Sequence, residues 1–498
     1  MAFRDIRGYI SSLVDSGEAI RIKEEIDWDL GASAIVRLAN QLGSPAPIME
    51  NIKDYPGCSL AGALFSNYRR AAIAIGLDPD LHPSEILNLY HRRSKHPIKS
   101  LIVDKAPCQE NVITGDDINL LELCAPYIHE GDGGRYLGSW QFIATPDYDT
   151  DWINWGMCHL MVHNETTLGG LLLPQEDIGI MFYGKYLPNK KPMPWAAVIG
   201  TEPLTTIVSA APYGRGKSEV DWAGGLRLEP VELVKCVSQP LYVPANAEII
   251  IEGVVDPDVL RLYEGPVGEY TGYRTSPRMP RVAYRVTAIT FRNNPINCVA
   301  CLGVPTDDSD MMAAVLARSD MLTTMEINGI PVVDISIPPQ MVSHAAIVSV
   351  GKPHSNVANR IATLLFGTKN TGMNLQQLFV CDEDIDVFDI KQVLHAFATK
   401  CHPKKGITYY DNQPATPLLP HLSYEDRLLG RTTKVVFDCT WPLEWSPTRD
   451  IPVRGTFWDM YAERTIEKIC NKWQEWGYPQ DMKRVWEEGK ERASWKKK

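Results

Sequence analysis

The sequence predicts a mixed chain of α+β and α/β domains, and three observations carry that class. At 498 residues, and roughly 150 residues per domain, the length suggests about three domains, although two larger ones would also fit. From about Asn111 to Pro305 the chain breaks into short β-branched runs separated by Gly, Pro and Asn, the texture of mostly antiparallel β structure. Beyond Asp310 apolar helical periodicity returns, and strand, loop and helix follow one another in the grammar of an α/β domain.

The first hundred residues mix helices with short strands. Pro83 to Arg93 starts with Pro-Ser-Glu, places Ile86, Leu87 and Tyr90 on one face, and is expected to be a helix. In the middle region Ala247-Glu-Ile-Ile-Ile-Glu252 and Arg281 to Thr290 are the clearest strands. Next come helices over Met311 to Met325 and Ser355 to Phe366. Leu378-Phe-Val-Cys-Asp382 reads as a strand leading through an acidic loop into a helix from Asp389 to Lys400. Tyr461 to Trp495 is helical, with Ile466, Ile469 and Trp473 at helical spacing and a break at Gly477-Tyr-Pro479. A tryptophan-rich end helix either docks on a partner, making a homodimer or higher homo-oligomer, or packs on its own chain.

Composition excludes several classes. A hydrophobic fraction of 44% with 22% charged residues belongs to a globular protein with real cores. Ala71 to Leu77 and Cys298 to Val304, the longest apolar stretches, fall short of the roughly 18 residues a membrane span needs. Charges interrupt Met1-Ala-Phe-Arg-Asp-Ile-Arg before a signal h-region can begin, so a cytoplasmic protein is expected and Asn164-Glu-Thr166 is a sequon on paper only. The net charge of -11 argues against nucleic acid and anionic membranes. The basic end Trp495-Lys-Lys-Lys498 reads as a solvated tail. Eleven cysteines, an odd number spread over the chain, fit reduced thiols. Cys298-Val-Ala-Cys301 has zinc-ligand spacing without the second pair that would complete a site.

Two motifs carry chemistry. Ala211-Pro-Tyr-Gly-Arg-Gly-Lys-Ser218 fits a relaxed phosphate loop after a strand-like Thr205 to Ser209. A true P-loop opens directly into a helix, however, and Glu219 to Arg227 contains Gly224-Gly225 without helical periodicity, which counts against an NTPase. Tyr263-Glu-Gly-Pro-Val-Gly-Glu-Tyr270 is more informative. Its glycines and proline forbid a helix and let Glu264 and Glu269 converge, an arrangement that separates their proton affinities and suits proton transfer. Standing alone, it reads first as a solvated turn with two unremarkable glutamates.

The order of six segments resembles the UbiD-type decarboxylases, the relatives of 3-polyprenyl-4-hydroxybenzoate decarboxylase and ferulic acid decarboxylase that use prenylated FMN. These are His129-Glu-Gly-Asp-Gly-Gly-Arg-Tyr136, Asn154-Trp155, Pro230-Val-Glu-Leu-Val-Lys235, Leu241-Tyr-Val-Pro-Ala-Asn-Ala-Glu-Ile249, Glu264-Gly-Pro-Val-Gly-Glu269, and Asp384-Ile-Asp-Val387 with Lys391. The resemblance implies an N-terminal α/β domain (1–110), a central flavin-binding split β-barrel (111–308) and a C-terminal α/β domain with a terminal oligomerisation helix (309–498). It also implies a cofactor site at Asn154, Trp155, Gly156, Met157, Cys158, His159, Glu176, Asp177, Ser209, Ala210, Glu232 and Lys391, the last on the phosphate side. Asn154, Asp177 and Glu232 would hold Mn²⁺ or Mg²⁺, Asp177 standing where the family has a His. An amide oxygen with two carboxylates is a hard donor set that suits those ions. K⁺ would bind main-chain oxygens at Trp155, Ala210 and Ala211 with Glu232 shared, and Ser209 to Pro212 becomes a cofactor-contacting turn.

The activity implied is non-oxidative, reversible decarboxylation of an aromatic acid, with prenylated FMN as covalent electron sink and a flavin prenyltransferase needed for its supply. Glu269 would protonate the product carbon. His159 stands where many members carry an Arg, and is expected to pair with Glu264. Ser139, Leu302, Met312 and Thr440 would line the substrate pocket, Thr440 in Val436-Phe-Asp-Cys-Thr440 pointing to the hydroxybenzoate branch. A phenolic benzoate of the protocatechuate or gallate type is therefore expected. A cinnamic or heteroaromatic acid is the alternative, and a P-loop NTPase or a non-catalytic flavoprotein lies further off.

Overall fold

The computed structural model describes residues 3–480, 482 and 485, apart from 138, 175, 212–213, 259–260, 275–276 and 352–353. Those residues form four sheets, with helices throughout. Near the N-terminus, strand Ala19–Ile26 runs parallel to Ala46–Ile52, which pairs antiparallel with Ser59–Gly62. A late strand, Ile296–Val299, returns to pair in parallel with Ser59–Gly62, so the chain closes the N-terminal layer after completing the middle one. The expected helix is Pro83–Ser94, with His82 as N-cap, Pro at its first position, and Ile86, Leu87 and Tyr90 buried.

The central sheet has nine strands. Its path runs Ile153–Gly156, Gln141–Pro146, Met193–Ile199, Ile249–Val255, Met279–Phe291, Thr167–Gly170, Leu160–Asn164, and Arg261–Glu264 and Asn111–Thr114 pair with the long strand Met279–Phe291. The two end strands of this path, Ile153–Gly156 and Leu160–Asn164, are consecutive in the chain and separated only by Met157, Cys158 and His159. At about 3.3–3.6 Å per extended residue that link spans no more than about 14 Å, so the sheet must curl until its edges nearly meet. Among the described residues no ladder joins those edges. The result is a rolled sheet with a seam at residues 157–159. Its interior is apolar, with Trp195 and Tyr284 edge to face at 5.2 Å.

Two apparent mismatches have local causes. Thr205 to Ser209 is helical, in Pro203–Ile207 and a 3₁₀ turn Val208–Ala210, because Glu202 caps the amides of Leu204 and Thr205. Glu219–Arg227 is also a helix, capped by Ser218. Its glycines are packing devices: a Cβ on Gly224 would meet Ile98 O at 2.4 Å and one on Gly225 would meet His96 O at 2.5 Å. With a helix instead of a strand before it, the Ala211–Ser218 segment lacks the P-loop framework.

Helix Asp308–Ile327, started by a capping box of Asp307 and Asp310, lies against Pro83–Ser94 and leads into the last domain. There Ala345–Val350, Gln377–Asp382 and Arg431–Cys439 are parallel, with Val332–Ser336 and Ile407–Pro414 as antiparallel edges. Alternate residues of Ala345–Val350 face two separate cores, one closed by Val357–Phe366 and the other by Ile390–Lys400, the two-sided burial expected of parallel strands. Helix Glu463–Lys472 buries Ile466 and Cys470, while Trp476 and Tyr478 stay exposed; the tail beyond lies mostly outside the described residues. No helix among the described residues is long and apolar enough to cross a membrane.

Candidate active site

The seam of the rolled sheet opens on a cleft of about 300 Å³ lined by Asn154, Trp155, Gly156, Met157, Cys158, Glu176, Asp177, Ser209, Ala210 and Ala211. Ten of the expected positions thus meet in one place. The run gets there because its strand ends at Gly156, freeing the next residues from ladder hydrogen bonds, while Phe142 stacks on Trp155 at 4.4 Å and fixes the strand behind it. Lys369, Met373, Asn374, Thr416 and Pro417 from the C-terminal domain form the opposite wall.

Several expected positions lie elsewhere. Glu232 opens on a different cleft with Arg4, Glu202, Arg227 and Asn246, and accepts a hydrogen bond from Asn246 Nδ2 at 3.1 Å. The carboxylate that joins Asn154 and Asp177 is Glu219, whose Oε2 accepts from the Trp155 amide at 3.4 Å. Lys391 sits in the first turn of Ile390–Lys400, beside Gln392, His395 and Arg454. Among the described residues that line the cleft the cation is Lys369, 3.0 Å from Asp177 Oδ2. Glu219 follows the Ser218 cap, so an acidic first turn was a visible signal; Lys369 had no local signal. Thr440 is buried at the end of Arg431–Cys439 with its hydroxyl donated to Asp438 Oδ1 at 2.6 Å, and Thr416 and Pro417 take the expected place in the wall. Leu302 and Met312 share one buried cluster, and Ser139 Oγ accepts from the Ala300 amide at 3.1 Å.

The carboxylates of the cleft are buried and crowded. Burial, reinforced by the neighbouring Asp177 charge, pushes Glu176 up to about 7 against the opposing pull of Lys369. Burial and Asp177 likewise push Glu219 up to about 8, although backbone hydrogen bonds oppose them. Asp177 Oδ1 is buried without a hydrogen-bond partner. Among the described residues no His, Cys, Asp or Glu side chains form a ready-made metal cage. The donors present, one amide oxygen and carboxylates on an open cleft, fit a hard divalent ion that keeps positions for water and phosphate. The Cys298 and Cys301 thiols are buried and inert as ligands in the same sense.

At the far end of the seam the two glutamates occupy unlike environments. Glu264 is buried and held at both oxygens, accepting from Tyr136 Oη at 2.9 Å and facing Arg281 Nε at 3.7 Å. His159 faces the other glutamate, its Nε2 lying 3.6 Å from Glu269 Oε2. The expected His159–Glu264 pair is therefore replaced by His159–Glu269, because Glu264 turns toward Tyr136 and Arg281. Burial disfavours charge on His159, but Glu269, then Glu264 and Asp132, outweigh it and raise its proton affinity. The sign gives a pH dependence. A His with a raised folded-state value stabilises the protein fully below its ordinary value of about 6.5, and loses that contribution as pH rises through the folded value. Replacing His159 with Asn is thus expected to cost more stability at pH 6 than at pH 9, measured by denaturant unfolding; an equal cost at both would contradict the assignment.

The turn that carries both glutamates needs Gly265 within it and Gly133 packed against it. The Gly133 amide donates to Pro266 O at 2.7 Å, and a Cβ on Gly133 would lie 2.1 Å from Gly265 O. Gly265 itself has φ +78°, in the left-handed region. Changing Gly133 to Ala is expected to cost about 1–3 kcal/mol or more through forced backbone displacement. Thermal unfolding beside a surface Gly→Ala control would reveal it.

Comparison with known proteins gives the family. The chain matches the 3-octaprenyl-4-hydroxybenzoate carboxy-lyase (UbiD) models for the N-terminal domain over residues 10–90, the Rift-related domain over 100–305 and the C-terminal domain over 310–439. It is 31% identical over 458 residues to the phenolic acid decarboxylase of Sedimentibacter hydroxybenzoicus, covering 89% of this chain and 93% of the relative. To the pyrrole-2-carboxylic acid decarboxylase of Pseudomonas aeruginosa it is 29% identical over 491 residues, covering 95% and 98%. Among solved structures it is similar to the UbiD-class enzyme HmfF from Pelotomaculum thermopropionicum in complex with FMN, with TM-score 0.80, 27% identity and coverage of 90% of this chain and 97% of that one. An evolved dimeric form of HmfF in complex with prFMN gives TM-score 0.76, with 27% identity over 91% and 98% of the two chains. With three successive domain models matched in order and a relative above 30% identity over nearly its whole length, the chain belongs to the UbiD carboxy-lyase family.

Proposed function

We propose that the protein decarboxylates an aromatic carboxylic acid without net oxidation, a phenolic benzoate of the protocatechuate or gallate type, with prenylated FMN in the seam cleft. The observation that carries the reading is the pairing of His159 with Glu269 at the end of the run that lines the cleft, beside a Glu264 fixed at both oxygens. A flavin bound there supplies the electron sink that an aryl anion needs.

The chain's own residues do the rest. Glu264, held by Tyr136 and Arg281, keeps a fixed orientation and a fixed field. Glu269 Oε2 and His159 Nε2 stand 3.6 Å apart as an ion pair, so His159 is the neighbour placed to return a proton to the acid that protonates the product carbon. His159 can also take a phenolic proton from a ring hydroxyl, which is why a hydroxylated benzoate is preferred. The C-terminal wall of Met373, Thr416 and Pro417 keeps water from the reacting carbon. Asn154, Asp177 and Glu219 would hold Mn²⁺ or Mg²⁺ against the flavin phosphate with Lys369 alongside, and main-chain oxygens of Trp155, Ala210 and Ala211 with Glu219 would hold K⁺.

A heteroaromatic acid is the second reading, favoured by the likeness to a pyrrole-2-carboxylic acid decarboxylase. The test is production with and without a flavin prenyltransferase, followed by the absorption spectrum and CO₂ release from benzoates, cinnamates and pyrrole- or furan-carboxylates. Release from hydroxybenzoates only after co-production is expected. Release from the heteroaromatic acids alone would transfer the assignment to them, and tight flavin with no release from any acid would defeat both. Self-association through the end helix belongs to the same reading and is measured by light scattering.

A further inference from the structure

Two titratable side chains pressed against the acid-bearing turn have no part in the mechanism above. The side chain of Asp132 is completely buried. Its Oδ1 accepts from the Gly268 amide at 3.2 Å, and its Oδ2 accepts from the His129 amide at 3.0 Å and faces His129 Nδ1 at 3.2 Å. His129 Nε2 lies 3.5 Å from Sγ of Cys301, and the ring fills the space over Gly268, where a Cβ would meet Cε1 at 2.4 Å. Arg274 Nε reaches Asp132 Oδ1 at 3.8 Å. A buried carboxylate must satisfy its oxygens, and this one does so on the residue immediately before Glu269.

We propose that Asp132 and His129, backed by the Cys301 thiol, are positioning residues that hold the Gly268–Glu269 backbone so that the Glu269 carboxyl meets His159. This rests on the reading of Glu269 as proton donor. The charges matter as well as the packing. Burial works against a charge on His129, but its hydrogen bonds to Asp132 and Cys301 outweigh burial and push it up to about 10. Asp132 also belongs, with Glu269 and Glu264, to the acids whose fields favour protonated His159, near which stand Tyr136 and, on Glu264, Arg281. Removing the Asp132 charge leaves His129 and Arg274 as uncompensated cations and must lower the proton affinity of His159. Removing the His129 charge must act in the opposite sense.

The test uses the flavin-loaded enzyme and the variants Asp132→Asn and His129→Gln, with pH profiles of kcat and KM and hydrogen exchange of the 264–273 peptide. Asp132→Asn is expected to lower kcat about tenfold or more, as misplacement of a reacting group does, with KM and flavin content changed less than about twofold. Its alkaline limb in kcat moves to lower pH, that of His129→Gln moves to higher pH, and the Gly268 and Glu269 amides exchange faster in Asp132→Asn. Limbs that stay in place, a kcat loss that merely follows flavin content, or unchanged exchange would overturn the proposal. Should Asp132→Asn fail to fold, the direction of the His129→Gln limb decides alone. An unmodified enzyme that releases no CO₂ defeats the proton-donor reading and this proposal with it, whereas an active enzyme with indifferent variants defeats only the latter.

Discussion

Replacing Glu269 with Gln is expected to cut turnover by about 10²–10⁴-fold, the range that general acid catalysis supplies, while leaving flavin content and fold intact. The substitution keeps the shape of a side chain that is 7% exposed and removes its capacity to give up a proton together with the charge that faces His159. The effect belongs in kcat and not in KM, because Glu269 meets His159 at the far end of the seam, away from the Asn154, Asp177 and Glu219 side chains. The same change at Glu264 should act differently. Gln there can still accept from Tyr136 but loses the ion pair with Arg281, so both KM and kcat are expected to move. Single-turnover CO₂ release and hydrogen–deuterium incorporation into product distinguish the two. Turnover by Glu269→Gln at the rate of the unmodified enzyme would remove Glu269 from the mechanism.

The second large effect concerns the metal. Changing Asp177 or Glu219 to Ala is expected to reduce divalent metal and flavin content together, while Glu232→Ala leaves both near normal. The difference follows from position: Asp177 and Glu219 line the same cleft as Asn154, and Glu232 opens on another. Removing a ligand or its orienting neighbour typically costs about 10–100-fold in metal affinity. Elemental analysis and the flavin spectrum of purified variants measure both quantities in one sample. Full metal occupancy in both Asp177→Ala and Glu219→Ala would place the ion elsewhere.

Much of this architecture was legible in the residues. The helices Pro83–Ser94, Asp308–Ile327 and Ile390–Lys400 follow from periodicity and caps, and the middle strands follow from β-branched runs. These depend on neighbours a few residues away, which the sequence displays directly. The helix Glu219–Arg227 did not follow, because its glycines answer to the carbonyls of His96 and Ile98, more than a hundred residues away in the chain. A pattern that breaks helical propensity locally was overridden by tertiary packing.

The division at the site has the same origin. By itself the sequence determined the family, the Asn154–His159 run, and a non-helical turn carrying Glu264 and Glu269, since its glycines and proline forbid a helix there. Tertiary structure alone decided which carboxylate meets Asn154 and Asp177, which lysine faces them, and which glutamate His159 pairs with. Those partners come from separate elements, and their meeting depends on how the rolled sheet, the Glu219–Arg227 helix and the C-terminal wall pack together. Spacing along a chain constrains a turn; it does not specify which of several glutamates, each compatible with the same motif, is delivered to a seam built from distant strands.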